Sequence, residues 1–219
     1  MMDPVETSAC PAPRRSKKRE AILASARTLF CQEGFVSTSM DAIAAHAQVS
    51  KATVYAHFSS KQHLFCEVVS HVTDAYIKLS EDLLDAPLRE GLTTIALRFL
   101  EMVTKPESVT IYRTLINQGQ DFPEMVEAFR DAGPRRIIPA IAHYFRVQSE
   151  RGRLKIADPL LMATIFLHTV KGEGQGRALG TCISNYPDRV IIDELVTMIL
   201  TTYAPDRPQA DPARQAIST

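Results

Sequence analysis

The sequence predicts an all-α fold in two parts, a small N-terminal head of three helices and a larger helical body. Three observations lead there. Apolar residues recur at helical spacing between the chain's two ends, and no sustained alternating segment suggests a sheet. Pro106, Gly119, Gly133-Pro134, Gly152 and Pro187 divide the body into helix-sized pieces. The run from Thr38 to Lys61, TSMDAIAAHAQVSKATVYAHFSSK, reads as two short helices joined by a tight turn.

The elements follow in order. Residues 1–13 hold three prolines and little apolar content, so a disordered basic arm is expected over 1–16. Ile22, Leu23, Ala26, Leu29 and Phe30 form one apolar stripe, and Gly34 should stop that helix. Ser37 or Thr38 should cap the next helix, with Asp41 reaching back in a Thr-x-x-Asp box. Met40, Ile43, Ala44 and Ala47 carry its inner face. Gln48-Val49 make the turn, and Ser50 caps a short helix running to about Phe58. Ser59 or Ser60 caps a longer helix with the stripe Leu64, Phe65, Val68, Val69, Val72, Tyr76, Leu79 and Leu83. Further helices are expected at about 88–104, 107–118, 122–131, 135–149, 159–180 and 187–203. The tail 205–219 is Pro-rich and polar, and is expected to be disordered.

Charge separates the two parts. The 219-residue chain has zero formal net charge. Arg14 to Phe65 carries eight Lys or Arg against three acids, a net +5, while the chain from Cys66 onward carries −3. A basic quarter on a mildly acidic body suggests a polyanion partner for that quarter alone. No apolar run approaches the roughly 18 residues needed to span a bilayer. The start, MMDPVETSACPAP, lacks a signal-peptide pattern. Cys10, Cys31, Cys66 and Cys182 show no metal-ligand spacing, so a reduced, cytoplasmic protein without metal or other cofactor is expected.

Two short helices across a tight turn form a wedge whose second helix can enter the major groove. That helix is SKATVYAHF. Val49, Val54 and Phe58 should point into the head, leaving Ser50, Lys51, Thr53, Tyr55, Ala56 and His57 on the groove side. Lys51 can donate to guanine, and Thr53 can bond a base or touch a thymine methyl. Ala52 and Ala56 are small enough for close approach. Tyr55, His57 and Lys61 suit phosphates, which set register rather than sequence. Thr38, at a helix N-terminus, is a further phosphate donor. The bland alternative, a helical wedge for protein contacts, does not explain the phosphate-compatible set or the +5 balance. The RRSKKR segment either contacts DNA or is a solvated basic tail.

These residues resemble a known family. LFCQEGF followed by TSMDAIAAHAQVSKATVYAHFSSKQHLF is similar to the DNA-binding domain of the TetR family of transcriptional regulators, over about residues 17–66. The landmarks are Gly34-Phe35, Thr38, Ile43-Ala44, Val49-Ser50, Tyr55, His57-Phe58, Lys61 and Leu64-Phe65. The chain departs at Ala52, where family members often carry Gly. The segment YRTLINQGQDFPEMVEAFRDAGPRRIIPAI is more loosely similar to AefR-like C-terminal domains of such repressors. The resemblance implies an N-terminal three-helix helix-turn-helix DNA-binding domain followed by a larger helical ligand-binding and dimerisation domain over 67–204. It further implies a homodimer on a near-palindromic double-stranded DNA operator, joined through helices near 159–180 and 187–203, and a small-molecule effector that releases the DNA.

ADPLLMATIFLHTV is apolar nearly all round and VIIDELVTMILTTY over a broad face, which agrees with an interface but also with an ordinary core. Gly172, Gly174 and Gly176 cost a helix roughly 1 kcal/mol each relative to Ala. Either they permit close helix approach or the helix breaks there. For the effector pocket, the aromatic and flexible residues of the middle helices are the candidates: Phe99, Met102, Phe122, Phe129 and Tyr144, with Tyr112, Arg113 and His168 as polar members. Met125 and Phe145 belong to the same cluster, and plain core is the competing reading for each.

Catalysis lacks a convergent polar site. Asp193-Glu194 and Glu81-Asp82 are sequence neighbours that diverge on a helix. His143 and His168 have no ligand partner at i+3 or i+4, and GEGQG lacks a preceding strand and a following Lys-Ser/Thr. Two further readings keep DNA binding: a redox sensor using Cys31 and Cys66, and an architectural binder without effector. The long body weighs against the second.

Overall fold

The computed structural model describes residues 17–77, 81–182 and 185–205. The expected arm over 1–16 and the tail beyond residue 205 lie outside them, as do Leu79 and the Tyr76 side chain of the α4 stripe. Among the described residues there are eleven helices and no strand. The head holds α1 (Lys17–Ser37), α2 (Met40–His46) and α3 (Lys51–His57), and α4 (Lys61–Ile77) leads out of it. The body continues with α5 (Glu81–Asp85), α6 (Leu88–Thr104), α7 (Pro106–Gln118), α8 (Pro123–Ala132), α9 (Pro134–Glu150), α10 (Pro159–Leu179) and α11 (Asp188–Thr202).

Local chemistry explains the boundaries. Gly34 takes φ 82°, which only glycine adopts without strain, so α1 bends there and runs on to Ser37 instead of stopping. Ser39, not Ser37 or Thr38, caps α2, accepting from the Ala42 N–H at 3.0 Å. The expected Thr-x-x-Asp box is therefore replaced. Gln48 (φ 55°) makes the turn, and Ser50 caps α3 by accepting from the Thr53 N–H at 3.1 Å. Ser60 accepts from the His63 N–H at 3.0 Å and starts α4.

Two apolar cores result. One fills the body between α6, α9, α10 and α11, around Leu92, Phe145, Phe166 and Val196. The other fills the head around Ile22, Phe30, Phe35, Val54, Phe58 and Phe65. Phe30, Phe35 and Phe65 pack as a ring cluster with centroids 5.2–5.7 Å apart. This head core does not end at the head. It takes in Ile111 of α7 and Met125 and Ala132 of α8.

α10 stays continuous through its glycines. A Cβ on Gly174 would lie 2.2 Å from Leu100 Cδ1, so this glycine lets α10 close onto α6, whereas Gly172 has nothing within 4 Å. Gly180, at φ 79°, ends the helix in the left-handed conformation. Leu160, Leu161 and Ile165 of α10 and Val190 and Met198 of α11 remain exposed.

Candidate nucleic-acid interface and body cavity

α3 is set by what it buries. Val54 and Phe58 are fully enclosed, and Val49 packs beside them. The opposite side leaves Ser50, Lys51, Ala52, Tyr55 and Ala56 exposed, with Thr53 and His57 half-buried. Tyr55 is 46 % exposed, unusual for so large a ring. The Thr53 and Ser50 hydroxyls share a hydrogen bond of 2.8 Å, which fixes both at the start of the helix. The Lys51 ammonium lies 2.8 Å from an Asp41 carboxylate oxygen, and that bond holds its pKa above the ordinary lysine value.

Two of the expected phosphate donors face elsewhere. Thr38 is fully buried and its hydroxyl donates to the Gly34 carbonyl at 2.7 Å, inside the bend of α1. The Lys61 ammonium donates to the Val36 and Thr38 carbonyls at 3.1 and 3.0 Å and stands 4.6 Å over the Phe35 ring. Burial lowers its pKa. Its role here is to tie the end of α1 to the start of α4. Arg19, absent from the expected set, pairs with Glu67 and lies 5.3 Å over the Phe58 ring, so it too ties α1 to α4.

A cavity of about 160 Å³ lies in the body between α4, α6, α7, α8, α9 and α10. Of the eight side chains expected there, Phe99, Met102, Tyr112, Phe129 and His168 line it. Three do not. Arg113 is exposed and donates to the Ala178 carbonyl at 3.3 Å. Phe122 packs on the head core. Tyr144 is fully buried in the body core, its hydroxyl without a hydrogen-bond partner. Sequence reasoning missed four polar lining residues: Thr73, Ser108, Lys171 and Gln175. A signal existed for two of them, because Lys171 and Gln175 follow His168 at i+3 and i+7 and so share its helix face. Val69, Ile111 and Phe129 line the cavity and also touch the head core.

Cys31 and Cys66 are half-buried, and burial raises the pKa of both thiols. A thiol kept protonated is a poor redox sensor. Among the described residues no group of three His, Cys, Asp or Glu could hold a metal, and no helix is long and apolar enough to cross a membrane.

Residues 22–68 match the family described as bacterial regulatory proteins, tetR family. Residues 90–205, more than half of the chain, match the AefR-like transcriptional repressor C-terminal domain. The chain belongs to the TetR family of transcriptional regulators. TetR regulators bind DNA and form dimers. Among relatives, the HTH-type transcriptional regulator YdeS of Bacillus subtilis is 30 % identical over 57 % of this chain and 62 % of its own length. The HTH-type transcriptional repressor NicS of Pseudomonas putida is 33 % identical over 47 % of this chain and 50 % of its own. The chain thus aligns with half to under two thirds of these two relatives. Solved TetR-family structures cover more. One from Mesorhizobium loti is 27 % identical, with a TM-score of 0.73 over 86 % of this chain and 97 % of the other. The flavonoid-responsive regulator FrrA is 30 % identical, with a TM-score of 0.71 over 87 % and 99 %.

Proposed function

We propose that this TetR regulator is a homodimeric repressor that leaves its operator when a small, largely apolar effector occupies the body cavity. The observation that carries the reading is the double membership of Val69 and Ile111, which line the cavity and belong to the head core. A ligand there pushes on side chains that also pack beneath α1 and α4. Two head spacings then form two states, and an effector that prefers the released one shifts the population. A coupling of roughly 1–3 kcal/mol changes DNA affinity about five- to hundredfold.

Residues 17–66 act as the DNA-binding domain and 67–204 as the effector and dimerisation domain. α3 reads bases through Lys51 and Thr53, with Ser50, Tyr55 and His57 on backbone phosphates and Ala52 and Ala56 giving room. The dimer forms through α10 and α11, whose exposed Leu161, Ile165, Val190 and Met198 are unusual on a solvated surface. The names of two similar proteins support the rest: NicS is called a repressor and FrrA flavonoid-responsive. The protein works where the chromosome is, in the cytoplasm.

Operator release tests this. The full chain is bound to a fluorescent operator and titrated with ring compounds of one to three rings while anisotropy is followed. Loss of DNA binding at saturating compound supports the reading. Compounds that bind by calorimetry yet leave operator affinity unchanged contradict it.

A further inference from the structure

We infer that the effector is a single-ring aromatic acid whose carboxylate is held by Lys171 and Gln175; this rests on the effector reading above. The cavity sets the size. Its volume of about 160 Å³ is close to the roughly 150 Å³ of an apolar cavity that admits one benzene ring. The walls set the body of the ligand. Phe99, Met102, Val103, Ile111, Phe129 and Ile137 offer rings and aliphatic groups without charge.

The polar end is set by α10. Lys171 and Gln175 stand at i and i+4, on one face of the helix, and both line the cavity. The Lys171 ammonium lies 4.8 Å from the Tyr112 ring and has no ion-pair partner among the described residues. Gln175 is only 6 % exposed. Its side-chain amide makes no hydrogen bond to another described residue, which leaves it available to a ligand in the cavity it lines. No lining residue carries a carboxylate. His168, one turn earlier, uses Nδ1 on the Thr164 carbonyl at 2.8 Å. A carboxylate at this rim gives one oxygen to the ammonium and the other to the amide N–H, while the ring enters the apolar walls. A cationic ligand would meet Lys171 and no opposing charge.

Calorimetry on the full chain with benzoate, phenylacetate and the neutral benzamide tests the assignment. One of the acids should bind at least about tenfold more tightly than the amide, the scale of a hydrogen bond to a charged group. Lys171→Met should remove that preference while benzamide affinity stays. The wild-type comparison needs no variant, so a misfolded one cannot mask the answer. Benzamide binding as tightly as the acids, or an acid preference that survives Lys171→Met, overturns the proposal. So does the absence of binding by all three. In either case, operator release by a neutral compound would leave the effector reading standing, and no release by any compound would remove that as well.

Discussion

The Lys61 ammonium joins two helix ends through the carbonyls of Val36 and Thr38 and the face of Phe35. Lys61→Ala leaves those carbonyls without their donor and should cost about 1–2 kcal/mol of stability, read as a lower melting temperature. The salt dependence of DNA binding should stay nearly unchanged, because this cation is already engaged by those two carbonyls. Lys51 behaves differently. Its exposed bond to Asp41 is cheap to exchange for a base edge, so Lys51→Ala should relax base preference at one operator position. Selection from random DNA checks this, and an unchanged preferred sequence would move the reading role to other side chains. The contrast marks how far these residues were legible. Their chemistry follows from residue type and from the turn they flank. Their direction does not, because Lys61 meets Val36 across 25 residues of sequence, through a bend at Gly34 that also turns Thr38 inward.

Helix positions were legible nearly to the residue where punctuation was strong. Pro159 opens a helix at the expected residue, and Pro106 and Pro134 open theirs one residue before the expected start, where the missing N–H costs nothing. Packing between helices was not legible, since it depends on close approaches that periodicity does not record. Tyr144 is one case. Its aromatic character suggested a pocket, yet it packs against Gly91 of α6, where an added Cβ would lie 2.3 Å from the hydroxyl oxygen. Gly91→Ala should therefore cost about 1–3 kcal/mol as overpacking, despite alanine's better helix propensity. Tyr144→Phe removes a buried hydroxyl that has no partner. It should be neutral or stabilising by up to about 1 kcal/mol, and should relieve much of the Gly91→Ala loss in the double variant. Chemical denaturation of the four proteins checks the cycle.

Across the whole molecule, α4 joins the head core to the cavity. Its first turns, through Leu64, Phe65 and Val68, close the head core, and its next residues, Val69, Val72 and Thr73, line the cavity. On the proposed reading, a change at the cavity reaches α3 through this helix and the shared core. On the same reading, two such units meet through the outer faces of α10 and α11. Ile165 is 48 % exposed in the single chain, so Ile165→Lys should leave the fold intact, convert the dimer to a monomer in sedimentation, and weaken operator binding. The claim on which all of this depends is that two α3 helices read a specific, twofold site. The most direct measurement is selection of genomic fragments by the purified full chain at about 0.15 M salt, followed by sequencing. The account predicts enrichment of a near-palindromic site whose half-sites lie about one DNA turn apart. No enrichment above non-specific DNA, persisting after unfolding and refolding to strip any bound ligand, would contradict it.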